Sequence, residues 1–241
     1  MVIMKRPFLF CLFICFISVL RADEADLGTL IFEDQFERSE SQELKDEPGN
    51  EWTTSSDRTA VGNKEVDLRD GAMYIYTHKD ANHATSVRHA FAFKDGTIGL
   101  RFKLEAEGDS LNLNFADLAL KSVHAGHLFK VIVNQKGVKI ADQKTGEMNL
   151  ELRNAKRNGT ITAAQKKQVS EKGKSFAHPV SLNEWHQIYV TVVGESLTCS
   201  IDGEMVGSFS SEGFAHETKT LLRLLVAKNA YVDEVKIWRR K

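Results

Sequence analysis

Two imidazoles, His124 and His127, flank Ala125-Gly126 at the start of the apolar run HLFKVIVNQ. Imidazole changes charge near neutral pH, so such a pair can act as acid and base. With a third ligand, for which Asp117 is a candidate, the same pair could hold a divalent metal ion. The competing reading makes both histidines part of a structural turn, because spacing along a chain does not show convergence in space. Just upstream, in DSLNLNFADL, Leu111, Leu113 and Phe115 alternate with Asn112 and Asn114, so one face packs and the other presents two amides. Amides offer donors and an acceptor together, which suits a ligand rich in hydroxyls. Arg101 lies on the polar face of its own strand, and Arg88 or His89 in TSVRHAFAF could join it, although an antiparallel sheet commonly exposes one ordinary wet face. Trp52, in the loop-like PGNEWTTSSDR, is a candidate aromatic plate for sugar C–H faces, with Tyr74 and Tyr76 as others. No convincing strand carries two glutamates around an aspartate in the E-x-D-x-x-E pattern, which argues against an ordinary retaining glycosidase. Cys199 alternates with Leu197 and Ile201 and reads as a buried hydrophobe.

These side chains must be carried by strands. Short apolar runs with period two recur between polar turns, among them GTIGLRFKLEA, SLNLNFADL, EWHQIYVTVVG, TLLRLLVA and VDEVKIWR, and predict an antiparallel sandwich or barrel. In the first of these, Ile98, Leu100, Phe102 and Leu104 face a core while Arg101 and Lys103 face water. Asp202-Gly203 predicts a hairpin over residues 197–210. Trp185 and Trp238 begin and end strands and are assigned to the core, with His186 structural beside them. Residues 147–176 lack the alternation and are read as a basic, helical insertion. Thr162 with Gln165 predicts a capped helix from about Ala163 to Lys172, closed by Gly173. Seven Lys and Arg oppose Glu147, Glu151 and Glu171 there, whereas residues 23–47 hold ten acids against Arg38 and Lys45. The insertion is either a basic arm over a groove or a solvated segment that touches the acidic N-terminal stretch.

The chain has 241 residues, 42% of them hydrophobic and 27% charged, enough for one folded domain with a sizeable core. Lys5 and Arg6 precede the uncharged FLFCLFICFISVL, so residues 1–22 read as a signal peptide and residues 23–241 as the exported domain, periplasmic or extracellular. A retained anchor is the alternative, but the run is short for a spanning segment and none follows it. Without the leader the count is 29 basic against 33 acidic residues, so nucleic acid is not an expected partner. Cys199 alone remains, which excludes an internal disulfide. Asn158-Gly159-Thr160 matches a glycosylation sequon but is short enough to arise by chance.

The C-terminal third, SLNEWHQIYVTVVGESLTCSIDGEMVGSFSSEGF and LLRLLVAKNAYVDEVKIWRR, resembles concanavalin A-like and laminin-G-like jelly rolls. With FEDQFERSE, DLRDGAMYIY and FKDGTIGLRFKLEA, the chain from about residue 28 to 239 resembles the bacterial 3-keto-disaccharide hydrolase family. The resemblance implies an all-β, concanavalin A-like jelly-roll sandwich of two antiparallel sheets with a short helical insertion, acting on carbohydrate at a concave sheet face. In a 3-keto sugar the carbonyl acidifies the C2 hydrogen, so one base and one electrophile could expel the glycosidic oxygen by elimination. His124, His127 and Asp117 would supply base or metal ligands, and Asn112, Asn114, Arg101 and Trp52 would hold the sugar. The matching segment KSVHAGHLFKVIVNQ departs from the family pattern, with VIVNQ where an acidic, hydrogen-bonding strand is expected. A noncatalytic carbohydrate-binding or adhesion module is therefore the second reading, and a structural envelope protein the third.

Overall fold

A computed structural model describes residues 27–241; the proposed leader at residues 1–22 lies outside them. In chain order the elements are β1 (Thr29–Asp34), α1 (Ser56–Thr59), β2 (Val66–Arg69), β3 (Ala72–Tyr76), β4 (Thr85–Phe93) and β5 (Gly96–Lys103). There follow β6 (Ser110–Ala116), β7 (His127–Asn134), β8 (Gly137–Asp142), α2 (Leu150–Arg157), α3 (Ala163–Glu171) and β9 (Gly173–Ala177). The chain closes with β10 (His186–Val193), β11 (Ser196–Ile201), β12 (Glu204–Ser210), β13 (Lys219–Val226) and β14 (Asn229–Arg239).

The strands form two antiparallel sheets, as a jelly-roll sandwich requires. One runs β12-β11-β10-β5-β14-β3-β2, with β1 also on β14; the other runs β4-β13-β6-β7-β8-β9. The alternation in each strand decides which side chains meet between them. Ile98, Leu100 and Phe102 of β5, and Ile188, Val190 and Val192 of β10, are fully buried against Leu111, Leu113 and Phe115 of β6 and Leu222 and Leu224 of β13. Phe115 stacks on Phe129 of β7 with centroids 4.4 Å apart. Cys199 belongs to this core, and burial pushes its thiol up to about 12.

The hairpin over 197–210 forms with both turn residues, Asp202 and Gly203, at positive φ (52° and 83°), the backbone a tight two-residue hairpin demands. Asp202 also accepts from the His186 ring (2.6 Å) and the Gln187 amide (2.8 Å), while the second His186 nitrogen meets the Ser181 carbonyl. That clamp explains why the Trp-His pair and the Asp-Gly turn occur together: the aspartate of the turn orients the histidine of the neighbouring strand.

In the insertion, α3 has the expected capping box of Thr162 and Gln165. Two features differ from the sequence expectation. Asn149 caps a further helix, α2, by accepting from the amides of Glu151 and Leu152, and residues 173–177 leave the insertion to form the edge strand β9. Among the described residues no ion pair joins the insertion to the acidic N-terminal stretch. Glu40 and Glu43 are drawn to Lys64, Asp34 to Arg38, and the insertion is tied instead through Lys172 to Glu212. Trp238 is buried, but Trp185 is half-exposed on the outer face of the eight-stranded sheet, with the Arg101 guanidinium over its ring. No helix among the described residues is long and apolar enough to cross a membrane.

Candidate functional site

The outer face of the six-stranded sheet follows from register. Arg88 of β4 stands opposite Arg223 of β13, Arg223 opposite Asn114 of β6, and Asn114 opposite Lys130 of β7. These four side chains alternate with core residues on every strand, so they line up in one row across the sheet. The next row holds Ser86, Leu225, Asn112 and Ile132. Both asparagines therefore lie on one face, as the alternation requires, and Asn112 Oδ1 is buried without a donor.

A register shift between β6 and β7 brings His127 opposite Ala116 and its ring over Asn114. The hydrogen bonds around it fix a direction. Asn114 Nδ2 donates to Gln143 Oε1 (2.6 Å), so its Oδ1 faces His127 Nδ1 at 2.8 Å and accepts from it. His127 Nε2 then carries the lone pair, and Arg223 Nη1 lies 3.3 Å away to donate to it. Arg223 Nη2 donates to the Ala125 carbonyl (2.7 Å), a carbonyl aimed there by the positive φ of Ala125 and Gly126. At the far end Gln143 Nε2 and Lys130 both donate to Glu147 Oε1, at 3.1 and 2.6 Å. One oriented chain thus runs from the Arg223 cation through His127, Asn114 and Gln143 to the Glu147 anion, each link polarising the next.

Charge on this face is unbalanced. Burial, then the charges of Arg223, His124 and Lys130, press His127 down to about 3, so it is neutral at physiological pH. His124 is also lowered, by partial burial and by Arg153 of α2 and Arg223. Its ring is exposed, 6.3 Å from that of His127 between centroids, and its nitrogens have no hydrogen-bond partner among the described residues. Arg223 is only 7% exposed; burial, Arg88 and Arg58 bring it down to about 10. Burial and Arg58 lower Arg88 too. Glu147 stays ionised because Lys130 and Gln143 outweigh the burial that would raise it.

The structure thus unites His124, His127, Asn112 and Asn114, and it separates the other three residues read from the sequence. Asp117 closes β6 but turns to His216 (3.1 Å) and Thr218 (3.0 Å), which with the Ala119 amide keep it ionised against partial burial. It is a loop anchor there, not a partner of the histidine pair. Arg101 lies on β5 in the opposite sheet, paired with Glu234 at 3.0 Å, because β5 enters the other layer of the sandwich. Trp52 is no exposed plate: it is 5% exposed, packs on Phe32, Phe36 and His89, and donates Nε1 to Asp34 (2.8 Å). Tyr74 and Tyr76 stack on each other at 5.6 Å, on the eight-stranded sheet with Arg101. Nor does the histidine pair fit a divalent cation. A guanidinium stands within 3.3 Å of both His127 ring nitrogens, and Asp117 is committed elsewhere. Arg88, a candidate from TSVRHAFAF, lies in this row, whereas its neighbour His89 is buried against Phe32; sequence reasoning missed Arg223, Gln143 and Glu147. Arg223 was visible as the lone charge in TLLRLLVA, a strand otherwise apolar on both faces.

Residues 81–241 match the Laminin_G_3 family, and the chain belongs to the concanavalin A-like lectin/glucanases superfamily. No curated protein matches the sequence. Among solved structures the fold is similar to a GlcNAcα1-4Gal-releasing endo-β-galactosidase from Clostridium perfringens (TM-score 0.58, 11% identity, 88% of this chain and 63% of that one). It is also similar to a non-specific endo-β-1,3(4)-glucanase of family GH16 (0.58, 11%, 88% and 91%) and to the β-glucanase of Bacillus licheniformis (0.57, 11%, 88% and 99%). At that identity the likeness defines the fold, and the chain spans about two-thirds of the first enzyme's length.

Proposed function

We propose that the protein is an exported carbohydrate-binding module whose ligand lies on the outer face of the six-stranded sheet. The observation that carries this reading is the chain Arg223–His127–Asn114–Gln143–Glu147, whose buried amides (Asn114 0% and Gln143 2% exposed) hold His127 and Arg223 in place beneath the solvent-facing His124 and Arg88, on a sheet face in a superfamily of lectins and glucanases. Surface groups held fixed from below can meet hydroxyls with little loss of side-chain entropy on binding. The leader composition supports export.

A second reading, elimination from 3-keto-glycosides, draws on His124. Its ring is exposed, uncommitted and held neutral beside cations, so its lone pair can accept the C2 proton while a guanidinium stabilises the enolate oxygen at C3; the C1–O bond then breaks as C1=C2 forms, and the imidazolium gives the proton to the departing oxygen. His127 is unsuited to that role, because its lone pair is taken by Arg223. The experiment is calorimetric titration and product analysis of the purified protein with 3-keto-disaccharides beside their unoxidised parents. Binding lost in Asn114→Ala without turnover would support the module. Release of sugar from keto substrates only, abolished in His124→Ala, would establish the eliminating enzyme. Absence of binding to any sugar would refute both.

A further inference from the structure

Two cations of this row, Arg88 and Arg223, lack an anion. Arg88 and Arg223 stand directly opposite on adjacent strands, an arrangement that is destabilising for like charges. Arg88 donates to Ser86 Oγ (3.0 Å), and Arg223 donates to a neutral imidazole and a backbone carbonyl. Among the described residues neither forms a salt bridge, and the nearest acid of the network, Glu147, is held by Lys130 and Gln143. Arg58 adds its field from one side and Arg153 from the other. A guanidinium that is almost wholly buried normally keeps a carboxylate or phosphate partner, because desolvation is otherwise uncompensated.

The row does not stop at the sheet. Arg153 also lines a cleft of about 670 Å³ between α2 and α3, together with Glu147. Its floor is apolar, with Met148, Leu152, Ile161 and Val169, and its rim carries Lys156, Arg157 and Lys166. The basic insertion is therefore an extension of the same surface.

We infer that the ligand is an anionic glycan chain, with a carboxylate or sulfate-ester group seated at Arg88 and Arg223 and further sugars running past His124 into the cleft between α2 and α3. This deepens the carbohydrate reading and rests on it. Paired guanidinium groups match the forked oxygens of either anion, and the missing partner in the protein becomes the group supplied by the ligand. The apolar floor suits sugar C–H surfaces while the rim meets the next charges along the polymer.

The test is calorimetry of the whole protein at low salt, where such contacts are least screened. Tetragalacturonate is compared with its methyl ester, and a sulfated galactotetraose with its desulfated parent. The expected result is that one charged ligand binds at least about tenfold tighter than its neutral counterpart. The advantage should shrink with added salt and vanish in Arg88→Gln, whose half-exposed site makes misfolding no obstacle should Arg223→Gln fail to fold. Which pair shows it distinguishes carboxylate from sulfate. Lys156→Gln combined with Lys166→Gln should weaken the tetramer and spare the corresponding dimer. Equal affinity for charged and neutral forms would overturn this inference and leave the carbohydrate reading intact. Tighter binding of a single-stranded DNA oligonucleotide than of either charged glycan would overturn it as well. Failure of every sugar, neutral or charged, would remove the carbohydrate reading itself.

Discussion

The Arg223–His127 contact makes His127 a liability in acid, and the size of the effect follows from what protonation must displace. In the folded protein Nδ1–H is committed to Asn114 and the Nε2 lone pair faces the Arg223 guanidinium, so a proton can be added only by setting two cations against each other in a partly buried site. The ring is held down to about 3, against about 6.5 when the chain is unfolded. Between those values the unfolded state binds one proton more than the native state, so stability falls as pH drops below about 6.5 and the loss is complete near pH 3. The slope approaches about 1.4 kcal/mol per pH unit, which gives on the order of 3 kcal/mol between neutrality and about pH 4.5. The comparison is His127→Gln, which retains a donor toward Asn114 and an acceptor toward Arg223 on a side chain that does not titrate. Urea unfolding of both proteins across that range should show the wild type losing about 3 kcal/mol more than the variant. The other lowered histidines, His124 and His89, and the carboxylates contribute equally to both curves and cancel. Parallel curves for the two proteins would refute the oriented chain as described.

Three shorter tests address the rest of the structure. Asn114→Ala leaves the His127 Nδ1–H without an acceptor and Gln143 Oε1 without a donor, so a loss of about 2–6 kcal/mol in urea unfolding is expected from two orphaned groups. Trp52→Phe removes a hydrogen bond to the buried Asp34 carboxylate and should cost about 1.5–3 kcal/mol while leaving glycan affinity unchanged; lost affinity in a stable variant would restore Trp52 as a ligand platform. Gly213→Ala drives a Cβ into the Asp142 carboxylate, which already accepts from Ser211 Oγ and the Gly213 amide, so a drop of about 1–3 kcal/mol is expected by thermal unfolding.

The jelly roll was legible because alternation is a local property: Ile98, Leu100 and Phe102 point inward whatever partners the strand finds, and Asp202-Gly203 turns the chain wherever it lies. The capping box at Thr162 is local in the same sense, whereas α2 is a helix of only eight residues with a single buried side chain, Leu152, and so offers little apolar run to read. The site was half legible for the same reason. Asn112 and Asn114 share a face by period alone, and His124 and His127 are joined by a short turn. Which strand lies beside β6 is decided by topology, and that choice brings in Arg223 from residues far along the chain and sends Arg101 to the other layer. Trp52 shows the limit from the other side: a loop sequence suggests exposure, but Asp34, Arg38 and Phe36 fold back over the indole and bury it.

Topology also explains why the chemistry is asymmetric between the two outer faces. On the eight-stranded sheet Arg101 is answered by Glu234 and Arg69 by Asp67, while Lys103 lies over the Trp185 and Tyr231 rings, so each of these cations has a local partner. On the six-stranded sheet the acids of the loops after β6 and β8 are turned away, Asp117 toward His216 and Glu147 toward Lys130, which leaves Arg88 and Arg223 bonded to neutral groups. A fold that pairs its surface charges on one face and leaves two guanidinium groups, one buried and one half-exposed, without an acid on the other has concentrated its unsatisfied electrostatics where a ligand can complete them. The functional assignment rests on that contrast between the faces more than on any single residue.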